Sequence, residues 1–540
     1  MKAISKYFIA LIGGLSLLSI SSCKKQLTET PYSFYSPENF YQNESDAKAA
    51  INGVYNELYT YDLFVQPFWN MTILDDDHVS GADWYLGTTG AGNPQSYWGY
   101  DRPWAGCYVI VARANNVLEN VEKMSNIDPD LKNRILGEAY FLRGWAYLQL
   151  VQLYGGVPLR LKSLSVDNPQ TNVPRATVKE TYEVVINDFK AAEEKLFPLG
   201  HAKAGEAGRV NQGLAKAFLA KTYLTMASGS LAGNISVRGG TDNGYYTYAK
   251  TVVAGLEGLD SKAYYTLARD KAAEVINSNL YTLTPSWKDL WSITGRNSKE
   301  HMWQLQSLAG TAFVNNLGTY FSARSTFGQG AVWTTNNHYD DYEEADKRVL
   351  DGITHNYTTL QGTNIFYPFA QSALYKVVNG ITYNNTNSTT AQRAYTIKFS
   401  GVSDPTVANS DAFYPLMRYA EVLLMHAEAE NEISVSGPTT AAYTSLGLVR
   451  SRASATPATS GMTQEQFRSF VLAERAREFN LEGIRRFDLQ RWGIYLQVMN
   501  KISTGQNNIS KVRSLKNLLL PLPLNELNAN TAIKINNPGW

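Results

Sequence analysis

Glu474, Glu478 and Glu482 recur at four-residue spacing, which on a continuous helix sets three carboxylates on one face. A pair of carboxylates is what acid and nucleophile chemistry at a glycosidic bond requires. Arg475, Arg477, Arg485 and Arg486 are interleaved with them, and Glu482 has Arg485 and Arg486 at i+3 and i+4. Guanidinium neighbours lower a carboxylate pKa, the wrong direction for a general acid. The stretch is therefore read as a structural ion-pair network, with a glycoside hydrolase using Glu474 and Glu478 as the alternative. Asp75-Asp76-Asp77 supplies hard oxygen atoms of the kind calcium takes, but lacks the alternating spacing and the glycine of an EF-hand loop. It is read as a hydrogen-bonding or solvated loop, with calcium as the alternative and no cofactor expected otherwise. The His residues at 78, 201, 301, 338, 355 and 426 are scattered without an H-E-x-x-H pattern, and no zinc site is expected. The chain also lacks a phosphate loop, a dinucleotide fingerprint after a strand and a G-x-S-x-G elbow.

The aromatic residues offer a different chemistry. Trp84, Tyr85, Trp98, Tyr100 and Trp104 lie close together among Asp83, Asn93, Gln95, Asp101 and Arg102. Trp333 and Tyr339 stand in a second stretch with Gln329, Asn336, Asn337, Asp340 and Asp341. The apolar C–H face of a pyranose stacks on an aromatic ring while amide, carboxylate and guanidinium groups meet its hydroxyls. The candidate ligand-binding residues are Asp77, Trp84, Trp98, Tyr100, Arg102, Trp333, Asn337 and Tyr339. The competing reading is that each aromatic plugs its loop onto the core.

Helical periodicity supplies the frame. Helices are expected at Ser45–Tyr59 with Ser45 as N-cap, Tyr108–Met124, Asp130–Leu153, Thr177–Leu196, Asn211–Ala227 and Tyr264–Ser278. Further helices are expected at Arg418–Ser434, Thr439–Arg452 and Thr463–Trp492, the last opened by a Thr463/Gln466 capping box. The stretch 62–105 reads as long loops, and 281–417 as long loops with short strands and one or two short helices, including the polar run Asn384–Thr390. Small residues and aromatics alternate in paired helices as in tetratricopeptide units, without a strict repeat.

The N-terminus reads as an address. Lys2 and Lys6 precede the apolar run Tyr7–Ile20, which is shorter than the roughly 20 residues of a spanning helix. The run ends in Ile20-Ser21-Ser22-Cys23, which resembles a bacterial lipobox, so Cys23 is the expected lipidation site. No other segment is long enough to cross a bilayer as a helix. Cys107, in Gly106-Cys107-Tyr108-Val109-Ile110, is read as a small buried hydrophobe. The 540 residues carry a formal net charge of +1, 44% hydrophobic residues and 18% charged ones, with 11 Trp, 34 Tyr and 20 Phe. This excludes a disordered chain and a general nucleic-acid binder, and two cysteines make no disulfide scaffold. Near-zero charge suits a neutral ligand better than a polyanion.

Several segments together resemble the SusD/RagB family of Bacteroidetes surface lipoproteins. They are Cys23 with Leu27 and Pro31; Glu138-Ala139-Tyr140-Phe141-Leu142-Arg143 running to Tyr154-Gly155-Gly156-Val157-Pro158-Leu159; Arg418-Tyr419-Ala420-Glu421-Val422-Leu423-Leu424 to Glu428-Ala429; Glu474-Arg475-Ala476-Arg477-Glu478-Phe479 with Gly483, Arg485, Asp488, Leu489, Arg491 and Trp492; and Leu520-Pro521-Leu522-Pro523 with Glu526-Leu527 and Asn537-Pro538-Gly539. Lys24-Lys25 departs from the acidic cluster that some members carry after the Cys. The resemblance implies a mainly α fold, with four degenerate tetratricopeptide-like helix pairs plus a loop-rich region with short strands. It implies a removed signal at 1–22, an extended segment at 23–44, an N-terminal helical part at 45–280 and a C-terminal part at 281–540. It further implies a non-catalytic oligosaccharide-binding lipoprotein on the cell outer membrane, facing the exterior, that serves a SusC-like TonB-dependent transporter. A relative that binds peptide or another nutrient, or a purely structural lid, is the alternative within the family.

Overall fold

Local sequence sets where the helices begin. In the computed structural model, which describes residues 40–164, 169, 171–323, 329–358, 362, 364–367, 377–378, 381–382, 393–404 and 407–540, most long helices open on a side chain that caps them. The signal run, Cys23, Lys24-Lys25, Leu27, Pro31 and Asn384–Thr390 lie outside the described residues. Helix α1 (Glu44–Asn56) is capped by Asn43 in a capping box with Asp46, not by Ser45. Helix α2 (Arg102–Val121) starts earlier than its periodicity indicates, because Pro103 favours the first turn and Trp104 packs edge-on against Tyr154 at 5.0 Å. Helix α3 (Pro129–Tyr154) is capped by Asp128 and stopped by Gly155 at φ 76°. Helices α4 (Val178–Lys195), α5 (Gln212–Ser230) and α6 (Ser261–Asn277) are capped by Thr177, Asn211 and Asp260. Helices α7 (Tyr419–Ile433) and α8 (Thr440–Arg452) follow the loop-rich region, then α9 (Gln464–Glu478), with the Thr463/Gln466 capping box in place.

These helices pack in sequence order as four pairs, α1 on α2, α3 on α4, α5 on α6 and α7 on α8. Each pair rests on the next through α2–α3, α4–α5 and α6–α7 contacts. Helix α3 is buried on all sides from Ile135 onward, so its apolar residues follow no single stripe. Helix α5 buries Ala215, Ala217, Ala220 and Ala227, small residues that let its neighbours approach closely. Cys107 is buried in this core, as expected. Among the described residues, no helix is long and apolar enough to cross a membrane.

The expected loop regions hold more structure than their sequence signals. Helices Pro67–Ile73 and Asp83–Leu86 interrupt 62–105. Among the described residues of 281–417 there are four short helices (Trp287–Leu290, Leu317–Phe321, Asn336–Tyr339 and Lys347–Leu350), where one or two are expected from the sequence. Short antiparallel pairings tie distant segments. Strand β1 (Val79–Gly81) pairs with β5 (Val332–Thr334), and β4 (His301–Leu305) pairs with β6 (Tyr414–Arg418). A hairpin absent from the periodicity reading, β2 (Gly233–Gly239) and β3 (Gly244–Lys250), packs on α9.

Candidate functional site

The chain between α1 and α2 builds an aromatic face. Trp69, on the short helix opened by Pro67, is fully buried against Tyr320 at 5.7 Å and Phe321 at 5.4 Å. Tyr85 stacks on Tyr320 at 4.5 Å with the rings 12° apart. The Tyr85 hydroxyl donates to Asn70 Oδ1 at 2.5 Å and accepts from Gln66 Nε2 at 3.4 Å. Burial holds the Tyr85 phenol well above its usual pKa, with the Tyr97 and Tyr320 hydroxyls adding to the effect. Burial likewise raises Tyr97, whose hydroxyl also senses Tyr320 and Tyr61. These phenols therefore stay protonated as hydrogen-bond donors at neutral pH. Trp84 sits 5.4 Å from Tyr85 and Trp98 sits 5.4 Å from Tyr97. Trp84 is 62% exposed, Trp98 58% and Tyr61 51%. Two open indoles thus stand on tyrosines that are tied to one amide-lined cluster. Such a surface offers exposed indole faces for stacking, with the half-exposed Tyr61 hydroxyl beside them for a polar contact.

Tyr100 is half-buried against the core, and Arg102 lies beside the face, paired with Asp62 at 2.9 Å. Tyr61 and Tyr320 were missed by sequence reading. Tyr61 sits where α1's turn runs into the first loop, and Tyr320 reaches the face from the short helix Leu317–Phe321 in the middle of the chain. Only the spacing of tyrosines in 55–61 hinted at the former.

The other candidates fall elsewhere, and four expectations are corrected. Trp333 is fully buried, because pairing with Ser80 across β1–β5 turns it inward and the Arg393 guanidinium covers its ring at 4.2 Å. Tyr339 is fully buried edge-on against Tyr367 at 4.6 Å. Asn337 is half-buried and clasps the β2–β3 turn, its side-chain Nδ2 donating to Gly240 O at 3.2 Å and its backbone carbonyl accepting from Asn243 Nδ2 at 3.1 Å. Asp77 is buried and held by Arg485 Nε and Nη2 at 2.8 and 2.6 Å.

The whole Asp75–Asp77 run is internal and hydrogen-bonded, so of the two loop readings the hydrogen-bonding one holds and the solvated one is corrected. Arg513 Nε holds Asp75 Oδ1 at 2.9 Å, Arg486 holds its other oxygen, and Lys511 Nζ donates to the Asp76 carbonyl at 2.8 Å. The Asp75 and Asp77 oxygens that calcium would take are thus engaged by guanidinium groups. Among the described residues, His78, His338 and Asp341 bring ligand atoms within 4.8 Å of one another. The two imidazoles, however, are stacked 3.8 Å apart and only 8° from parallel. Their in-plane lone pairs run side by side and do not converge on one ion.

The carboxylates with catalytic spacing are all buried. The expected helix 463–492 breaks after Glu478, where Leu481 (φ 63°) and Gly483 (φ 76°) reverse the chain before α10 (Arg485–Arg491). A Cβ on Gly483 would meet Tyr414 Oη at 2.8 Å. Glu482 therefore leaves the shared face. It pairs with Arg418 at 2.8 Å and Lys398 at 2.5 Å, while Arg485 and Arg486 turn to Asp77 and Asp75. Glu474 meets Arg348 at 2.7 Å, Arg450 at 2.6 Å and Arg477 at 2.8 Å. Glu478 meets Arg418 at 2.8 Å, Arg348 at 3.2 Å and also Arg452. Burial alone would raise Glu478, but Arg452, Arg418 and Arg348 outweigh it and hold it down to about 2. Both Glu474 and Glu478 are closed to solvent and ionised, unable to reach or protonate a leaving group.

Comparison with known proteins adds independent findings. Residues 199–540 match the model of the SusD family, and residues 27–224 match a model described as starch-binding associating with outer membrane. A SusD-like protein of Formosa agariphila is 26% identical over 566 residues, covering 99% of this chain and 100% of that protein. A solved SusD homologue from Bacteroides thetaiotaomicron superposes with a TM-score of 0.73 at 20% identity, covering 93% of this chain and 98% of that one. Surface glycan-binding protein A from Bacteroides uniformis superposes with a TM-score of 0.69 at 20% identity, covering 92% and 99%.

Proposed function

This chain belongs to the SusD/RagB family, and on that premise we propose that it is a non-catalytic, lipid-anchored oligosaccharide-binding protein of the outer membrane. The observation that carries this reading is the pair of open indoles, Trp84 and Trp98, each standing on a tyrosine of one amide-linked cluster. Exposed indole faces, a stacking surface tolerant of which ring it meets, fit a neutral glycan chain. The enclosed, arginine-bound carboxylates Glu474 and Glu478 fit a frame better than a hydrolase. The name of the Bacteroides uniformis neighbour, a surface glycan-binding protein, points the same way. In this proposal Cys23 carries the lipid, the protein faces the exterior, and bound glycan passes to a SusC-like TonB-dependent transporter.

A binding screen of residues 24–540 against neutral oligosaccharides tests the central point. Binding to at least one glycan, weakened by Trp84→Ala or Trp98→Ala in a folded protein, is expected. Binding to peptides and to no glycan would replace the ligand class. Protease shaving of intact cells tests the exterior placement, and co-purification of a barrel with the tagged lipoprotein tests the partner.

A further inference from the structure

A second surface has the same chemistry as the loop face but stands on other elements. Helix α9 carries Gln466, Ser469, Phe470, Ala473 and Arg477 along one stripe, at three- and four-residue spacing. The hairpin β2–β3 faces that stripe, and a groove of about 470 Å³ runs between them. This lies within the roughly 300–1,000 Å³ typical of small-ligand sites.

Strand alternation decides what the hairpin presents. Ile235 and Val237 point inward, onto Leu472 and Trp492. The opposite face sets Arg238 across from Tyr245, and Ser236 across from Thr247. The Ser236 and Thr247 hydroxyls lie 2.8 Å apart, and Ser236 N donates to Ser469 Oγ at 2.9 Å, closing the floor of the groove. Tyr245 is 77% exposed, the most open large aromatic side chain among the described residues. Phe470 gives the helix side an apolar wall and carries Arg450 4.9 Å above its ring centroid.

Charge narrows the ligand. The guanidinium groups of the groove are already ion-paired, Arg238 with Asp341 at 3.0 Å and Arg477 with Glu474 at 2.8 Å, a carboxylate it shares with Arg348 and Arg450. A phosphate or acidic peptide would find no uncommitted cation there, whereas a neutral polyhydroxyl chain would find a ring, hydroxyls and the Gln466 amide.

We propose that the groove between the β2–β3 hairpin and α9 is a second saccharide-binding site, taking a short stretch of neutral glycan with a sugar ring stacked on Tyr245. The proposal shares the glycan reading of the loop face but uses none of its residues.

Saturation-transfer NMR on the full mature chain, with a panel of neutral hexasaccharides of glucose, mannose, xylose and galactose, tests it. The set is wild type, Trp84→Ala/Trp98→Ala, Tyr245→Ala, Tyr245→Phe, and the two tryptophan changes combined with either Tyr245 change. The tryptophan double variant is expected to keep residual transfer from a hexasaccharide that binds wild type. Adding Tyr245→Ala should weaken that residual binding by roughly twofold to tenfold, the worth of one aromatic stack, whereas Tyr245→Phe should keep it. Because Tyr245 is so exposed, its replacement leaves the fold intact, which an unchanged melting profile will show. Residual transfer that is absent in the tryptophan double variant, or indifferent to Tyr245→Ala, overturns the second site and leaves the loop face standing. Binding lost with Tyr245→Ala but untouched by the tryptophan changes upholds the groove and overturns the loop face. No hexasaccharide binding to wild type overturns both.

Discussion

Trp84 and Trp98 stand more than half exposed, whereas Trp333, in a stretch equally rich in Asn, Asp and tyrosine, is closed off completely. Both regions are short segments between longer elements, and both carry aromatics with amide and carboxylate neighbours. The difference lies in what each segment pairs with. Residues 332–334 form a strand against Val79–Gly81, and Arg393 lies over the indole that results. Trp84 and Trp98 instead border a face whose inner layer is already filled by Trp69, Tyr85 and Tyr97, so the outer rings are left to solvent. An aromatic becomes available for a ligand when a second aromatic has taken its place in the core.

The largest effects should come from the closed side. Glu478→Gln removes a charge on which Arg348, Arg418 and Arg452 converge, and should cost about 3–5 kcal/mol in chemical denaturation. A loss below about 1 kcal/mol would mean that the network contributes little to stability. Trp333→Ala opens a cavity and should also cost about 3–5 kcal/mol, while glycan affinity per folded molecule stays the same. An affinity loss at full folding would return Trp333 to the binding surface. Trp98→Ala should do the reverse, leaving stability within about 0.5 kcal/mol and weakening binding by roughly tenfold to thirtyfold in calorimetry.

Acid separates the two regions as well. The folded pKa of Glu478 is about 2, below its ordinary 4.5. Its stabilising contribution is therefore complete above about 4.5 and lost as pH falls toward 2. Unfolding free energy should drop through that window, less steeply in Glu478→Gln, and a parallel drop in both proteins would assign the acid response elsewhere. The smallest effect should be Thr463→Ala, which removes the α9 cap and should cost about 1 kcal/mol.

The frame was legible because its signals are local. The Thr463/Gln466 capping box marks the start of α9 within a few residues and the structure keeps it, and the apolar stripe over 177–196 matches α4 to within a residue at each end. The paired carboxylates were also legible as a network, since interleaved arginines argue against catalysis from sequence alone. What failed depended on distant partners. Helical spacing puts Glu482 beside Arg485 and Arg486, but the reversal at Leu481 and Gly483 hands it to Arg418 and Lys398. Within the candidate site, Trp84 and Trp98 were nameable from composition, but Tyr320 was not. It joins them by stacking on Tyr85, a contact that no spacing encodes.

The ties between Asp75–Asp77 and Arg485, Arg486 and Arg513 join residues 408 to 438 positions apart. Such contacts make the order of assembly a property of the binding face. The segment carrying Trp84 leaves directly from Asp77 and His78 through β1, so its base is fixed only when the last part of the chain has arrived. Contacts of this range form late, because the entropy of closing so long a loop comes before any gain. A chain emerging from its N-terminus would complete the helix pairs α1 to α6 first and acquire a rigid binding surface at the end.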